Sequence, residues 1–197
     1  MKPISIVIAV VVVSVCQFQI LAQTPQTPQT PQTPQTATVP GGNDLITKTC
    51  SSTHYNEMCK TILQSSPNSN GADLYGLAQI VMNIASENVS NIYESINQLQ
   101  NGTSVDSFLD DCLTDCLESY QDAIDQIEDS VTALEFKAYN DVKTWVAAAM
   151  SDAATCDMGF KEKPGYESPI AQMTAVFDQI CNIILTITQQ LSDGKST

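Results

Sequence analysis

The 197-residue chain contains no arginine, and only one histidine and one tryptophan. Its eight basic residues are all lysines, set against 22 acidic residues, for a formal net charge of −14. Such a chain repels nucleic acid and anionic membranes, and it cannot make the bidentate arginine–phosphate contact. A single histidine, His54, excludes most nucleophile–base triads and histidine-rich metal sites. Period-two alternation of useful length is also missing, so a sheet is not expected. Beyond the first 22 residues no stretch is apolar enough to span a bilayer. Such acidity suits a basic partner.

The N-terminus has the organisation of a secretory leader over residues 1–22. Lys2 supplies the positive region, and Ile4 to Val15 forms an apolar run interrupted by Ser5, Ala9 and Ser14. That run is short for a span of about 20 residues, and Ala22 is the expected last residue before cleavage. Without the leader, which carries Lys2 and Cys16, 22 acidic residues face seven lysines, and six cysteines remain. Six cysteines in an exported chain imply a disulfide framework, and they allow about fifteen connectivities. Residues 23–36 repeat Gln-Thr-Pro, with Pro25, Pro28, Pro31 and Pro34. A period of three matches polyproline II, and the tract has nothing to bury in a core. It reads as a semi-rigid linker over 23–42, or as an O-glycosylated stalk. Asn88-Val89-Ser90 and Asn101-Gly102-Thr103 are candidate N-glycosylation sites.

Residues 43–66 read as a small helical hairpin. Four longer helical patterns follow. Leu74, Leu77, Val81, Ile84, Asn88, Ile92, Ile96 and Leu99 recur at steps of three and four, ending at Asn101-Gly102. Ser104 is the expected cap of the next helix, whose seam is Leu109, Leu113, Cys116, Tyr120, Ala123 and Ile127. The third carries Val142, Trp145, Val146, Ala149 and Ala153, with Trp145 and Tyr120 expected in the core. Ser168-Pro169 places a cap before proline at the first position of the last helix, which runs Ile170, Met173, Phe177, Ile180, Ile184, Ile187 and Leu191. Short connections favour antiparallel neighbours. The expected fold is all-α: an up-down-up-down four-helix bundle with an N-terminal hairpin, in one domain over 43–194.

No catalytic residues stand out. Asp110-Asp111 and Asp125/Glu128/Asp129 read as solvated helix faces, and Cys112-x3-Cys116 reads as disulfide chemistry rather than a metal site in an oxidising compartment. No cofactor and no enzymatic activity are expected.

Two segments carry a family resemblance. One is Asp115-Cys116-Leu117-Glu118-Ser119-Tyr120-Gln121-Asp122-Ala123-Ile124-Asp125. The other is Ala147-Ala148-Ala149-Met150-Ser151-Asp152-Ala153-Ala154-Thr155-Cys156. Together with the short Cys50 to Cys59 loop, they resemble the plant invertase and pectin methylesterase inhibitor family over roughly residues 44–192. Thr155 to Pro169 is similar to a pollen subset of that family. The resemblance implies pairing of Cys50 with Cys59 and of Cys116 with Cys156. The second pair suits antiparallel helices, because one cysteine lies early in its helix and the other late. Cys112 and Cys181 stay open, as two free thiols or as a third bridge between diagonal helices.

The resemblance further implies a secreted, apoplastic inhibitor that blocks the pectin methylesterase cleft in a one-to-one non-covalent complex. Acid invertase is the alternative target, and a non-inhibitory wall or pollen protein is a third reading. Invertase inhibitors carry Pro-Lys-Phe entering the third bundle helix, where this chain has Ala138-Tyr139-Asn140. That absence favours the esterase. The expected target-binding face comprises Asp122, Asp125, Asp141, Lys143, Thr155 and Asp157.

Overall fold

A computed structural model describes residues 42–102 and 106–194, all in helices and connections. The expected leader at 1–22, residues 23–41 of the linker and Ser104 lie outside the described residues, as does Thr103 of the second sequon, while Gly42, expected in the linker, begins the first helix.

A hairpin of α1 (Gly42–Cys50) and α2 (Asn56–Ser65) is followed by a 3-10 turn at Pro67–Ser69. Four long helices follow: α3 (Leu74–Gln100), α4 (Ser107–Glu135), α5 (Tyr139–Lys161) and α6 (Ala171–Gly194). Two of these starts carry a side-chain cap. Asp73 caps α3 by accepting from the Gly76 amide at 2.8 Å. Asp106, not the expected Ser104, caps α4, accepting from the Leu109 amide at 3.0 Å. A carboxylate also suits the positive helix end. Pro169 sits two residues ahead of α6 rather than at its first position. Ser168, Pro169 and Ile170 are spent on a turn closed by the Ala171 amide on the Ser168 carbonyl at 3.2 Å.

The α4–α5 connection is tight. The Ala138 amide bonds the Ala133 carbonyl and the Lys137 amide bonds the Leu134 carbonyl, each at 2.9 Å. This is the Schellman pattern, which needs a left-handed residue after the helix. Lys137 holds that place at φ 55°, where glycine is usual.

Successive long helices pack side by side, and α6 closes the ring against α3, leaving α3/α5 and α4/α6 as diagonals. The seams interlock Leu77, Val81, Ile92 and Ile96 with Leu113, Tyr120 and Ile127. Val142 and Val146 meet them from α5, and Phe177, Ile184 and Ile187 from α6. Each such aliphatic side chain contributes roughly 1.5–3 kcal/mol of transfer free energy when fully buried.

Tyr120 is fully buried, and its hydroxyl shares a 2.9 Å hydrogen bond with Thr174 across the α4/α6 diagonal. Burial raises its phenol pKa to about 12, against the lowering effect of that bond. Trp145, expected in the core, lies on the outer surface of α5 and is 38% exposed. The buried stripe of α5 runs instead through Val142, Val146, Ala149, Ala153, Cys156 and Phe160. Its two alanines let α4 and α5 approach closely, and at Cys116 and Cys156 the Cα atoms are 4.6 Å apart.

Disulfides join Cys50 to Cys59 and Cys116 to Cys156. Cys112 and Cys181 are free and buried, so no third bridge forms. The hairpin is tied to the bundle by Gln190 of α6, whose side-chain amide donates to the Thr49 carbonyl at 3.1 Å. Among the described residues no helix is long and apolar enough to cross a membrane.

Candidate functional site

The main surface feature beside the Cys116–Cys156 bridge is a groove between α4 and α5 with a volume of about 500 Å³. Asp115, Glu118 and Asp122 line it from α4, and Asp152, Thr155 and Glu162 from α5 and its end. No lysine lines it. The spacing explains the arrangement. Positions 115, 118 and 122 advance by three and four along α4, so their side chains share one face. The disulfide then clamps that face against α5.

Like charges collected in a groove perturb their neighbours. Burial, then Asp122, raises the pKa of the Asp152 carboxyl, while Gln126 alongside eases the shift. Asp152 Oδ2 is shielded from solvent. The Cys112 thiol, on the same groove, is also shifted up, by burial and then by Asp115 and Glu162. A raised thiol pKa is the opposite of what a nucleophilic cysteine needs. His54 is exposed in the α1–α2 turn. The described residues contain no cluster of three or more histidine, cysteine or acidic side chains able to hold a metal. What this surface can do is present fixed negative charge to a cationic partner.

The expected binding residues do not all share one surface. Asp122 and Thr155 meet in the α4–α5 groove. Asp125 is exposed farther along α4 and accepts from the Gln121 side chain at 3.0 Å. Asp141 is exposed in the first turn of α5. Lys143 turns the other way, with Nζ donating to Gln189 of α6 at 3.0 Å. Asp157 lines a second groove of about 370 Å³ between α5 and α6 and is ion-paired to Lys161.

Four acidic residues of the first groove, Asp115, Glu118, Asp152 and Glu162, escaped sequence reasoning. So did Met158, which is 57% exposed on the ridge shared by both grooves. Their signal was the polar three-and-four spacing flanking each cysteine. At the turn where Pro-Lys-Phe falls in invertase inhibitors, Tyr139 is only 7% exposed and packs inward. Burial raises its pKa, followed by Tyr75 and Asp73.

The two sequons also differ. Asn88 lies inside unbroken α3 with its Oδ1 shielded and unbonded. Asn101 is exposed at the helix end, where its side-chain amide donates to the Asn97 carbonyl at 2.8 Å.

Comparison with known proteins decides the family. The model for "Plant invertase/pectin methylesterase inhibitor" matches residues 44–187. The chain belongs to that family. It is 32% identical to the "Putative invertase inhibitor" of Platanus orientalis, over 75% of this chain and 90% of that protein. It is 30% identical to the "Pectinesterase inhibitor" of Actinidia deliciosa, over 80% of this chain and 85% of that protein. A crystal structure of a mutant pectin methylesterase inhibitor from Arabidopsis superposes with a TM-score of 0.63 at 21% identity. The match covers 71% of this chain and 92% of that one, and it shows that the bundle fold is shared. The family and these relatives are inhibitors of enzymes, not enzymes.

Proposed function

We propose that this protein inhibits pectin methylesterase in a one-to-one non-covalent complex, lying across the substrate cleft through the α4–α5 surface. The observation that favours the esterase over invertase is the α4–α5 turn. The chain lacks Pro-Lys-Phe there, and the aromatic at that place, Tyr139, is folded into the bundle. It is not presented to a partner.

The docking face on this reading is the acidic groove, with Asp122 and Thr155 at its centre and Asp115, Glu118 and Asp152 around them. Exposed Met158 adds apolar area at the edge of the face. Asp125 and Asp141 lie farther along α4 and α5, and Lys143 and Asp157 extend the contact onto the α6 side. A disulfide-clamped groove keeps its shape on binding, which lowers the ordering cost. Its charge speeds encounter with a basic esterase.

The rest of the reading follows from export. Residues 1–22 direct secretion to the apoplast, 23–42 link or tether, and 43–194 form the inhibitor domain, with Asn101 the more accessible N-glycosylation site. Acid invertase is the second reading, favoured by similarity to "Cell wall / vacuolar inhibitor of fructosidase 2" of Arabidopsis thaliana at 30% identity.

The test is titration of purified pectin methylesterase and acid invertase, side by side, with the oxidised protein near pH 6. Loss of esterase activity alone at a one-to-one ratio supports the proposal. Loss of invertase activity alone overturns it, and no effect on either moves the protein to a non-inhibitory wall role. Charge reversal at Asp115, Glu118 and Asp122 together is expected to slow association by about tenfold or more at low salt. An unchanged rate would remove the groove from the interface.

A further inference from the structure

Trp145, the only tryptophan of the chain, is 38% exposed on α5. One exposed aromatic needs no explanation by itself. Its position changes that. Asp152 lines the acidic groove between α4 and α5, and Trp145 precedes it by seven residues. Seven residues fall about 20° short of two full turns, so the two side chains leave α5 on the same flank, about 10 Å apart along the axis. Asp141, about one turn earlier, is exposed on that flank too. Lys143, two residues before Trp145, turns instead toward α6. The disulfide sets the register across the flank. Cys116 and Cys156 are level, so eleven positions back along α5 and eleven forward along the antiparallel α4 bring Trp145 level with Ile127, between exposed Asp125 and Asp129. An indole is thus set among carboxylates of both helices.

The size of a stable contact gives this flank a use. From Cys112 to Asp122 the groove runs about 15 Å along α4. A specific one-to-one complex buries about 800 Å² of each partner, a patch roughly 30 Å across. The contact therefore continues past the groove. At one end the groove already reaches Glu162, just beyond the last residue of α5. Along these two helices only the direction of Trp145 is left.

We propose that Trp145 is the anchor at the far end of the target contact, taking a lysine or arginine side chain of the esterase onto its ring face between Asp125, Asp129 and Asp141. This rests on the inhibitory reading above. A cation over an aromatic face is drawn by the ring quadrupole, most strongly for tryptophan. The surrounding carboxylates add to that attraction, and a chain with a net charge of −14 favours a basic partner. Tryptophan is also enriched among the few residues that carry most of the energy of an interface.

The test is inhibition of pectin methylesterase by the parent protein and by Trp145→Phe, Trp145→Leu and Trp145→Ala, at a temperature where all are folded. Alanine and leucine are each expected to raise the inhibition constant about tenfold, and phenylalanine about threefold. Leucine keeps apolar area without a ring, so a leucine variant equal to the parent overturns the cation contact. A second readout leaves the fold untouched. With one tryptophan in the chain, incorporated fluorotryptophan gives a single fluorine resonance, and one equivalent of esterase should shift or broaden it. A complex that inhibits with that resonance unmoved, or Trp145→Ala inhibiting as well as the parent, overturns the anchor and leaves esterase inhibition standing. No inhibition of the esterase by the parent overturns both.

Discussion

The two disulfides close loops of very different length, and the structure lets their contributions be ranked. Cys50 and Cys59 are nine positions apart, Cys116 and Cys156 forty. All four cysteines are buried. In the chain-entropy treatment the short bridge is worth about 2.7 kcal/mol and the long one about 3.9 kcal/mol at 25 °C. Replacing each pair by alanine removes one bridge while adding no buried polar group. Urea unfolding followed by circular dichroism should show the α4–α5 variant losing more stability, by about 1 kcal/mol. In melting temperature, its total loss corresponds to roughly 8–16 °C. The bridges also differ in what they hold. The longer one clamps the groove proposed to bind the target, and the shorter one clamps only the hairpin. Its loss should therefore weaken inhibition as well as stability, whereas loss of Cys50–Cys59 should leave the inhibition constant nearly unchanged at a temperature where both variants are folded. A larger stability loss from the short bridge would refute the entropic ranking. Unchanged inhibition without the long bridge would refute the claim that it pre-organises the site.

Thr188 is fully buried and its hydroxyl has no hydrogen-bond partner, so Thr188→Val should stabilise by about 1 kcal/mol, read as a rise in melting temperature. Because the Asp152 pKa is raised on folding, the folded protein holds that proton more tightly than the unfolded chain does. Its contribution is thus fully present below the ordinary carboxylate value and lost as pH rises through the raised one. Asp152→Asn should consequently stabilise at pH 7 but not at pH 3, and a constant difference across that range would contradict the assignment. Cys181 is completely buried and burial pushes its thiol strongly upward, so iodoacetamide should fail to label it in the native protein and label it readily in urea. Labelling of native Cys181 at the rate of a free thiol would mean that α6 opens.

The helices were legible because burial leaves a periodic trace. Ile180, Ile184 and Ile187 mark α6 at steps that only a helix can place on one side, and all three are buried. Trp145 was misread because an aromatic near a seam raises the local hydrophobicity wherever it points. It lies one residue from Val146, and one residue is about 100° around a helix, enough to turn a side chain from core to solvent. The caps were ambiguous for a different reason. Ser104 and Asp106 both have capping side chains, and only the path of the chain decides which one meets a free amide.

The site was harder still, because it belongs to two helices at once. Asp122 and Thr155 were named from the sequence as candidates for the face, and Asp152 was not. Its shielded Oδ2 exists only because α4 presses against α5. Lys143 and Asp157 show the same limit from the other side. Both are polar residues on the same helix as the groove, but each turns toward α6, where Gln189 and the α5–α6 groove engage them. Periodicity fixes which residues of one helix share a face, and it says nothing about which neighbour that face will meet. The disulfide is the exception that made part of the site readable. It is a covalent statement that position 116 of one helix and position 156 of another are adjacent, so polar residues within about a turn of either cysteine, Glu118, Ser119, Asp152 and Thr155, are brought to a common surface.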